Sequence, residues 1–155
     1  MGAFRYLPAS LKDLDDLLAI ENRCFKSDRI NRRQLRYHLR QGKTLTFVCK
    51  SGGATVGYLM CFTPALPRAA RIYSLAVLPE HRGQGIASSL IRTCLRKIRQ
   101  LGYRQCRLEV RASDKKTQAL YARHGFQQIE KLPAYYEDGR DGVRMLVDLM
   151  TLRSR

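Results

Sequence analysis

The stretch from Leu75 to Ile91, LAVLPEHRGQGIASSLI, constrains this chain more than any other. An apolar run, RIYSLAVL, stops at Pro79 and passes through a turn holding Gly83 and Gly85. It then enters a helix predicted from about Ile86 to Leu101, with Leu90, Ile91, Cys94, Ile98 and Leu101 as its apolar face and Gly102 as its stop. A strand that turns through glycines into a helix leaves backbone N–H groups aimed at open space, where the helix dipole also favours an anion. The glycines admit a ligand with no Cβ in the way, and Arg82 adds charge. That arrangement suits a pyrophosphate. Neither GxGxxG nor GxxxxGK[ST], the commoner phosphate loops, occurs in the chain.

The rest of the chain reads as strands and helices in alternation. FRYLPA is a short extended opening, and Ser10 followed by Asp13 is a near capping box for a helix carrying Leu11, Leu14, Leu17, Leu18 and Cys24. Asn31 caps a second helix, RRQLRYHLRQ, closed by Gly42. TLTFVCK and ATVGYLMCF form a hairpin through Ser51-Gly52-Gly53. CRLEVRA is a strand, Ser113 caps a short helix through Tyr121 ending at Gly125, and FQQIEKL and VRMLVDL make a last pair. The order β-α-α-β-β-β-α-β-α-β-β predicts an α/β or α+β domain on a mixed sheet. With 155 residues and no linker or repeat, the chain is expected to be one domain spanning residues 1–155.

Five cysteines and three histidines are scattered singly, with no zinc or redox spacing, so no metal and no disulfide are expected. Reduced thiols, no signal peptide, and no apolar run near the roughly 18 residues of a membrane span make a cytoplasmic location the expectation. At Met1-Gly2, Tyr6 stands where a myristoylation motif wants Ser or Thr. The charge balance is unusual: 29 Lys plus Arg against 13 Asp plus Glu give +16. Such an excess attracts polyanions, among them nucleic acid, a ribosome or an acidic protein, or it serves solubility alone.

RGQGIA resembles the acyl-CoA pyrophosphate loop, [QR]xxGx[GA], of the GNAT acetyltransferases, with Arg82, Gly85 and Ala87 in the defining places. LEVRASDKKTQALYARHGF resembles that family's second hallmark, LEVRxSNxxAxxLYxxxGF. Together with AYYEDGRDGVRM, the likeness is greatest to the bacterial ribosomal-protein alanine N-acetyltransferases. The resemblance implies a mixed, mostly antiparallel twisted sheet of six to seven strands flanked by about four helices. It implies acetyl-CoA as cosubstrate, its pantetheine arm along Leu75, Ala76 and Val77, and its pyrophosphate wrapped by Gly83, Gln84, Gly85, Ile86, Ala87 and Ser88. It also implies Glu109 as proton acceptor and Tyr121 as proton donor, since the amine must lose a proton to attack and the leaving thiolate gains one.

Plainer readings stand beside these. Glu109 shares its strand face with Arg107 and Arg111, so a structural ion pair explains it as well, and neighbouring cations weaken a base. Tyr121 fits core packing. Tyr135 and Tyr136 either shape an amine slot or fill a strand pair. Asp114 stands where the family has Asn, and a carboxylate repels phosphate; it serves as a helix cap instead of, or alongside, a cofactor contact.

Between the first two helices the chain departs from the family's apolar segment and reads CFKSDRINRRQLR. Arg29, Arg32 and Arg33 there form either a solvated face or a dock for an acidic acceptor. This region also resembles GNAT domains fused to a cysteine-peptidase-like domain. The acceptor expected is a protein or peptide α-amine. Lysine, a small amine, and a noncatalytic acyl-CoA or nucleic-acid-binding role are the alternatives.

Overall fold

The computed structural model describes residues 3–41 and 43–152, so Gly42 as a helix stop and the Met1-Gly2 start lie outside the described residues. Seven strands and four α-helices follow the predicted order: β1 (Phe4–Pro8), α1 (Leu14–Cys24), α2 (Arg32–Arg40), β2 (Thr44–Ser51), β3 (Ala54–Phe62), β4 (Ala70–Val77), α3 (Ile86–Gln100), β5 (Gln105–Arg111), α4 (Lys115–Ala122), β6 (Gln127–Leu132) and β7 (Gly142–Asp148). All seven strands join one sheet in the order β1-β2-β3-β4-β5-β7-β6. Only β4 and β5 run parallel; the other five pairs are antiparallel.

Local chemistry accounts for the helix starts, with two corrections to the sequence reading. Ser10 and Asp13 do form a reciprocal capping box, but it opens a 3-10 turn, Leu11–Asp13, before α1. Asn31 and Gln34 form a second box at α2. The cap of α4 is Asp114, not Ser113: its carboxylate accepts the Thr117 N–H at 3.0 Å.

Apolar side chains alternate across the sheet and build two cores. On one face Leu90, Ile91, Cys94 and Ile98 of α3 pack with Tyr121 of α4 against Ile72, Cys106, Leu108 and Val110. On the other, Leu17 and Ile20 of α1 and Leu35 of α2 cover Val48, Tyr58, Met60 and Ala76. This second layer covers β2 to β4. Arg107, Glu109 and Arg111, which alternate with the buried residues of β5, therefore face the side of the sheet where, among the described residues, α1 and α2 pack over β2 to β4 and not over β5. All five cysteines are free; four are buried and Cys24 is half-buried.

A candidate active site in the opening between β4 and β5

The parallel pair β4–β5 is matched only at Ala70–Cys106 and Arg71–Arg107. Beyond that point the strands diverge. On its other edge β4 stays paired with β3 as far as Gly57–Val77, with a bulge that leaves Tyr73 without a partner between Ile72 and Ser74. The Leu78 N–H bonds to Val56 O on the β3 side. Strand alternation then turns the N–H groups of Leu75 and Val77 away from β3, into the opening, and commits Ala76 to β3. Val77 O also faces the opening and accepts the Arg82 Nε at 2.9 Å.

The opening ends at the glycine turn. Gly83 and Gly85 have φ of +79° and +81°, and Gly85 is the N-cap of α3 with no side chain capping it. Among the described residues, no hydrogen-bond partner is found for the backbone N–H groups of Gly83, Gln84, Gly85, Ile86, Ala87 or Ser88. Six consecutive unpaired donors at a helix start fit a pyrophosphate by their own chemistry. The Ser88 hydroxyl lies 3.1 Å from His124 Nε2.

On this face of β5, clear of α1 and α2, Glu109 sits in a cage of arginines. Its side chain is 3% exposed; Oε1 accepts Arg71 Nε at 2.7 Å, while Oε2 accepts Arg107 Nη1 at 2.5 Å and Arg144 Nε at 2.8 Å. Burial alone would raise its pKa, but the Arg144 bond and the Arg71 and Arg107 charges outweigh it and hold the carboxyl below its ordinary range. A carboxylate offers about four acceptor positions, so one remains, on Oε1. Arg71 also donates to the Tyr135 hydroxyl at 3.3 Å.

Tyr121 lies on the opposite face, its ring buried edge-on to Phe126 at 5.4 Å. Its hydroxyl has no hydrogen-bond partner among the described residues. The single fully enclosed side-chain polar atom lacking a partner there is Thr46 Oγ1, so the Tyr121 hydroxyl, though deeply buried, is not fully enclosed. Burial, and then the nearby thiols, raise its pKa far above the usual phenol value, which keeps the proton in place.

Arg111 ties together the two loops bordering the face that Glu109 occupies. Its guanidinium bonds to Ser27 at 2.8 Å and Asp138 at 2.9 Å, reaches Asp28 at 3.4 Å, and stacks 4.3 Å from the Tyr136 ring. A second buried carboxylate, Glu21, accepts from the Tyr58 hydroxyl, from the Ile30 N–H at 2.9 Å and from the Ser74 hydroxyl at 3.4 Å. Its burial raises its pKa despite these donors. Among the described residues no group of three His, Cys, Asp or Glu side chains is placed to hold a metal ion.

The chain matches the Acetyltransferase (GNAT) family over residues 11–126. It is a GNAT acetyltransferase. The N-alpha-acetyltransferase of Sulfurisphaera tokodaii is 29% identical, covering 94% of this chain and 93% of that one. The putative [ribosomal protein bS18]-alanine N-acetyltransferase of Bacillus subtilis is also 29% identical, over 90% and 91%. The crystal structure of the ribosomal-protein-S18-alanine N-acetyltransferase from Escherichia coli superimposes with a TM-score of 0.87 at 22% identity, covering 99% and 97%, which shows a shared fold. As in other GNAT enzymes, the acetyl donor is acetyl-CoA, and the unpaired N–H groups and open glycine turn fit its phosphates.

The GNAT site gathers some of the expected residues and disperses others. Glu109, Tyr135 and Tyr136 border one side of the opening, while Leu75, Val77 and the turn line it. Arg29 instead folds back on its own segment, donating to Phe25 O and, at 3.1 Å, to Asn22 O. Arg32 pairs with Asp15 at 2.7 Å, and Arg33 is exposed. The sequence reading missed Arg71, Arg144, Glu21 and the Arg111 clasp. Of these only Arg111 carried a signal, as the basic neighbour of Glu109.

Proposed function

We propose that this enzyme acetylates the N-terminal α-amine of a protein or peptide by direct attack on acetyl-CoA. The observation carrying the reading is the divergence of β4 and β5, which leaves an opening that the Val77 N–H faces and that the Glu109 carboxylate borders, with Tyr121 packed on the opposite face of the sheet. Acetyl-CoA supplies a thioester whose acyl carbon is open to a nucleophile. The Val77 N–H, turned into the opening, donates to the oxygen where charge develops. Glu109, its own charge already met by three arginines, takes up the proton of the amine through the one acceptor position left on Oε1, by way of a water. Tyr121 returns a proton to the departing sulfur from the other face.

A carboxylate of lowered pKa is a weak base, which favours the more easily neutralised amine. At pH 7 removing a proton costs about 1.4 kcal/mol for an α-amine of pKa ~8 and about 4.6 for lysine at ~10.4. Two relatives, one named an N-alpha-acetyltransferase and one a putative ribosomal-protein alanine N-acetyltransferase, point the same way. The two loops clasped by Arg111 lie on the face that Glu109 occupies, where the acceptor chain would approach.

Isotope-labelled acetyl-CoA with a cell lysate, followed by mass spectrometry, tests this reading. Label confined to protein N-termini, and lost in Glu109→Gln and Tyr121→Phe, supports it. Label on lysines or on small amines alone overturns it.

A further inference from the structure

Beside the Glu109 cage, on the same face, lies a cavity of about 390 Å³. Arg71 and Arg107 form the wall it shares with Glu109, and Arg68 and Lys43 also line it. No acidic side chain lines it. Among the described residues neither Arg68 nor Lys43 has an ion-pair partner. His38 and Phe62 supply an aromatic wall, their rings 4.9 Å apart, and Phe62 stacks on Tyr73 at 4.5 Å.

The charges do not balance. Three arginines share Glu109, and Arg144 also meets Glu130 at 2.5 Å. Three cations against two carboxylates leave one positive charge, and Arg68 and Lys43 bring the surplus to three. A concave wall of one sign concentrates ligands of the other. Guanidinium forks beside an apolar ring suit a planar carboxylate on a short aliphatic stem.

We propose that this cavity receives an Asp or Glu side chain of the acceptor peptide, at position 2 or 3 counted from the residue that bears the amine. The proposal rests on α-amine acetylation as the activity, because Arg71 and Arg107 touch both the cavity and the carboxylate that would serve the amine. It places acidic-acceptor selectivity at Arg68 and Lys43 instead of at Arg29 and Arg32, whose guanidiniums are engaged by Phe25 O and Asp15.

The test compares two octapeptides alike except for Asp or Asn at positions 2 and 3, on the wild type and on an Arg68→Glu/Lys43→Glu variant. The expected result is a tenfold or greater kcat/KM preference for the Asp peptide, carried by KM, that falls to near one in the variant. A charge-matched control, Arg96→Glu/Arg104→Glu, alters exposed sites outside the cavity and should keep the preference. Equal constants in the wild type, a preference surviving the cavity variant, or an equal loss in the control overturns the proposal while α-amine acetylation stands. If neither peptide is acetylated, the activity reading falls, and fluorescence anisotropy with the same peptides judges the cavity separately. Tighter binding of the Asp peptide, lost only in the cavity variant, supports it; equal binding overturns it.

Discussion

Glu109 and Arg144 stand directly opposite one another across β5 and β7, with Arg144 Nε 2.8 Å from Glu109 Oε2. The pair makes the candidate base a structural residue as well. Glu109→Gln leaves three partly buried guanidiniums facing a neutral amide and should cost about 3 kcal/mol of stability, read by urea denaturation. The sign with pH follows from the lowered pKa. The folded carboxylate binds its proton more weakly than the unfolded one, so its stabilisation is present above the ordinary carboxylate range and disappears as the pH falls through the folded value. The wild type should therefore lose stability below about pH 4 more steeply than the variant.

Glu21 should behave in the opposite sense. Its raised pKa means that its contribution is complete below the ordinary carboxylate value of about 4.3 and fades as the pH climbs through the folded one. Glu21→Gln should flatten that part of the Tm–pH profile. The amide can keep the Ile30 N–H on its oxygen only if its nitrogen donates to the Tyr58 hydroxyl, which then turns to donate to Ser74, so hydrogen exchange at Ile30 should hold near its wild-type rate.

Tyr121→Phe separates chemistry from packing. The ring keeps its contact with Phe126 and the lost hydroxyl had no partner, so stability should change by no more than about 0.5 kcal/mol. If the hydroxyl is the acid, kcat should fall about 100-fold or more with little change in the KM for acetyl-CoA. A fall below about threefold would remove Tyr121 from the mechanism.

Gly85→Ala should cost about 1–2 kcal/mol from its φ of +81° alone, because an added Cβ meets nothing within 4 Å. The methyl would project where phosphate approaches the N–H groups. Calorimetry should show acetyl-CoA binding weakened at least tenfold.

Arg111→Ala cuts Ser27 and Asp28 from Asp138 and Tyr136. Hydrogen exchange should rise in residues 26–30 and 134–141 together, and the acceptor KM should increase about tenfold while acetyl-CoA affinity holds. Exchange rising in one loop alone would show that the two are not coupled.

Local pattern carried most of the fold into view. The glycine turn and the apolar spacing after it placed α3 within one residue of its observed end at Gln100, and the hairpin through Gly52 and Gly53 appears where expected. What stayed hidden depends on strand order. Arg71 on β4 and Arg144 on β7 meet Glu109 because β5 lies between those two strands, and no spacing along the chain encodes that adjacency. For the basic run after Phe25 the sequence offered a solvated face or a dock, and charge alone could not reveal that Arg29 folds onto Phe25 O or that Arg32 meets Asp15.

The short match between β4 and β5 leaves the sheet as two panels, β1 to β4 and β5 to β6, sewn together by a brief seam at Ala70 and Arg71. A ligand lying along the unsewn length would supply the hydrogen bonds a missing strand would have made, and by mass action it would raise the energy needed to part the panels. The cosubstrate would then double as a splint. An enzyme built this way wears its supply as armour: well stocked with acetyl-CoA it would resist proteases and heat, and starved of it the same chain would come apart along that seam first.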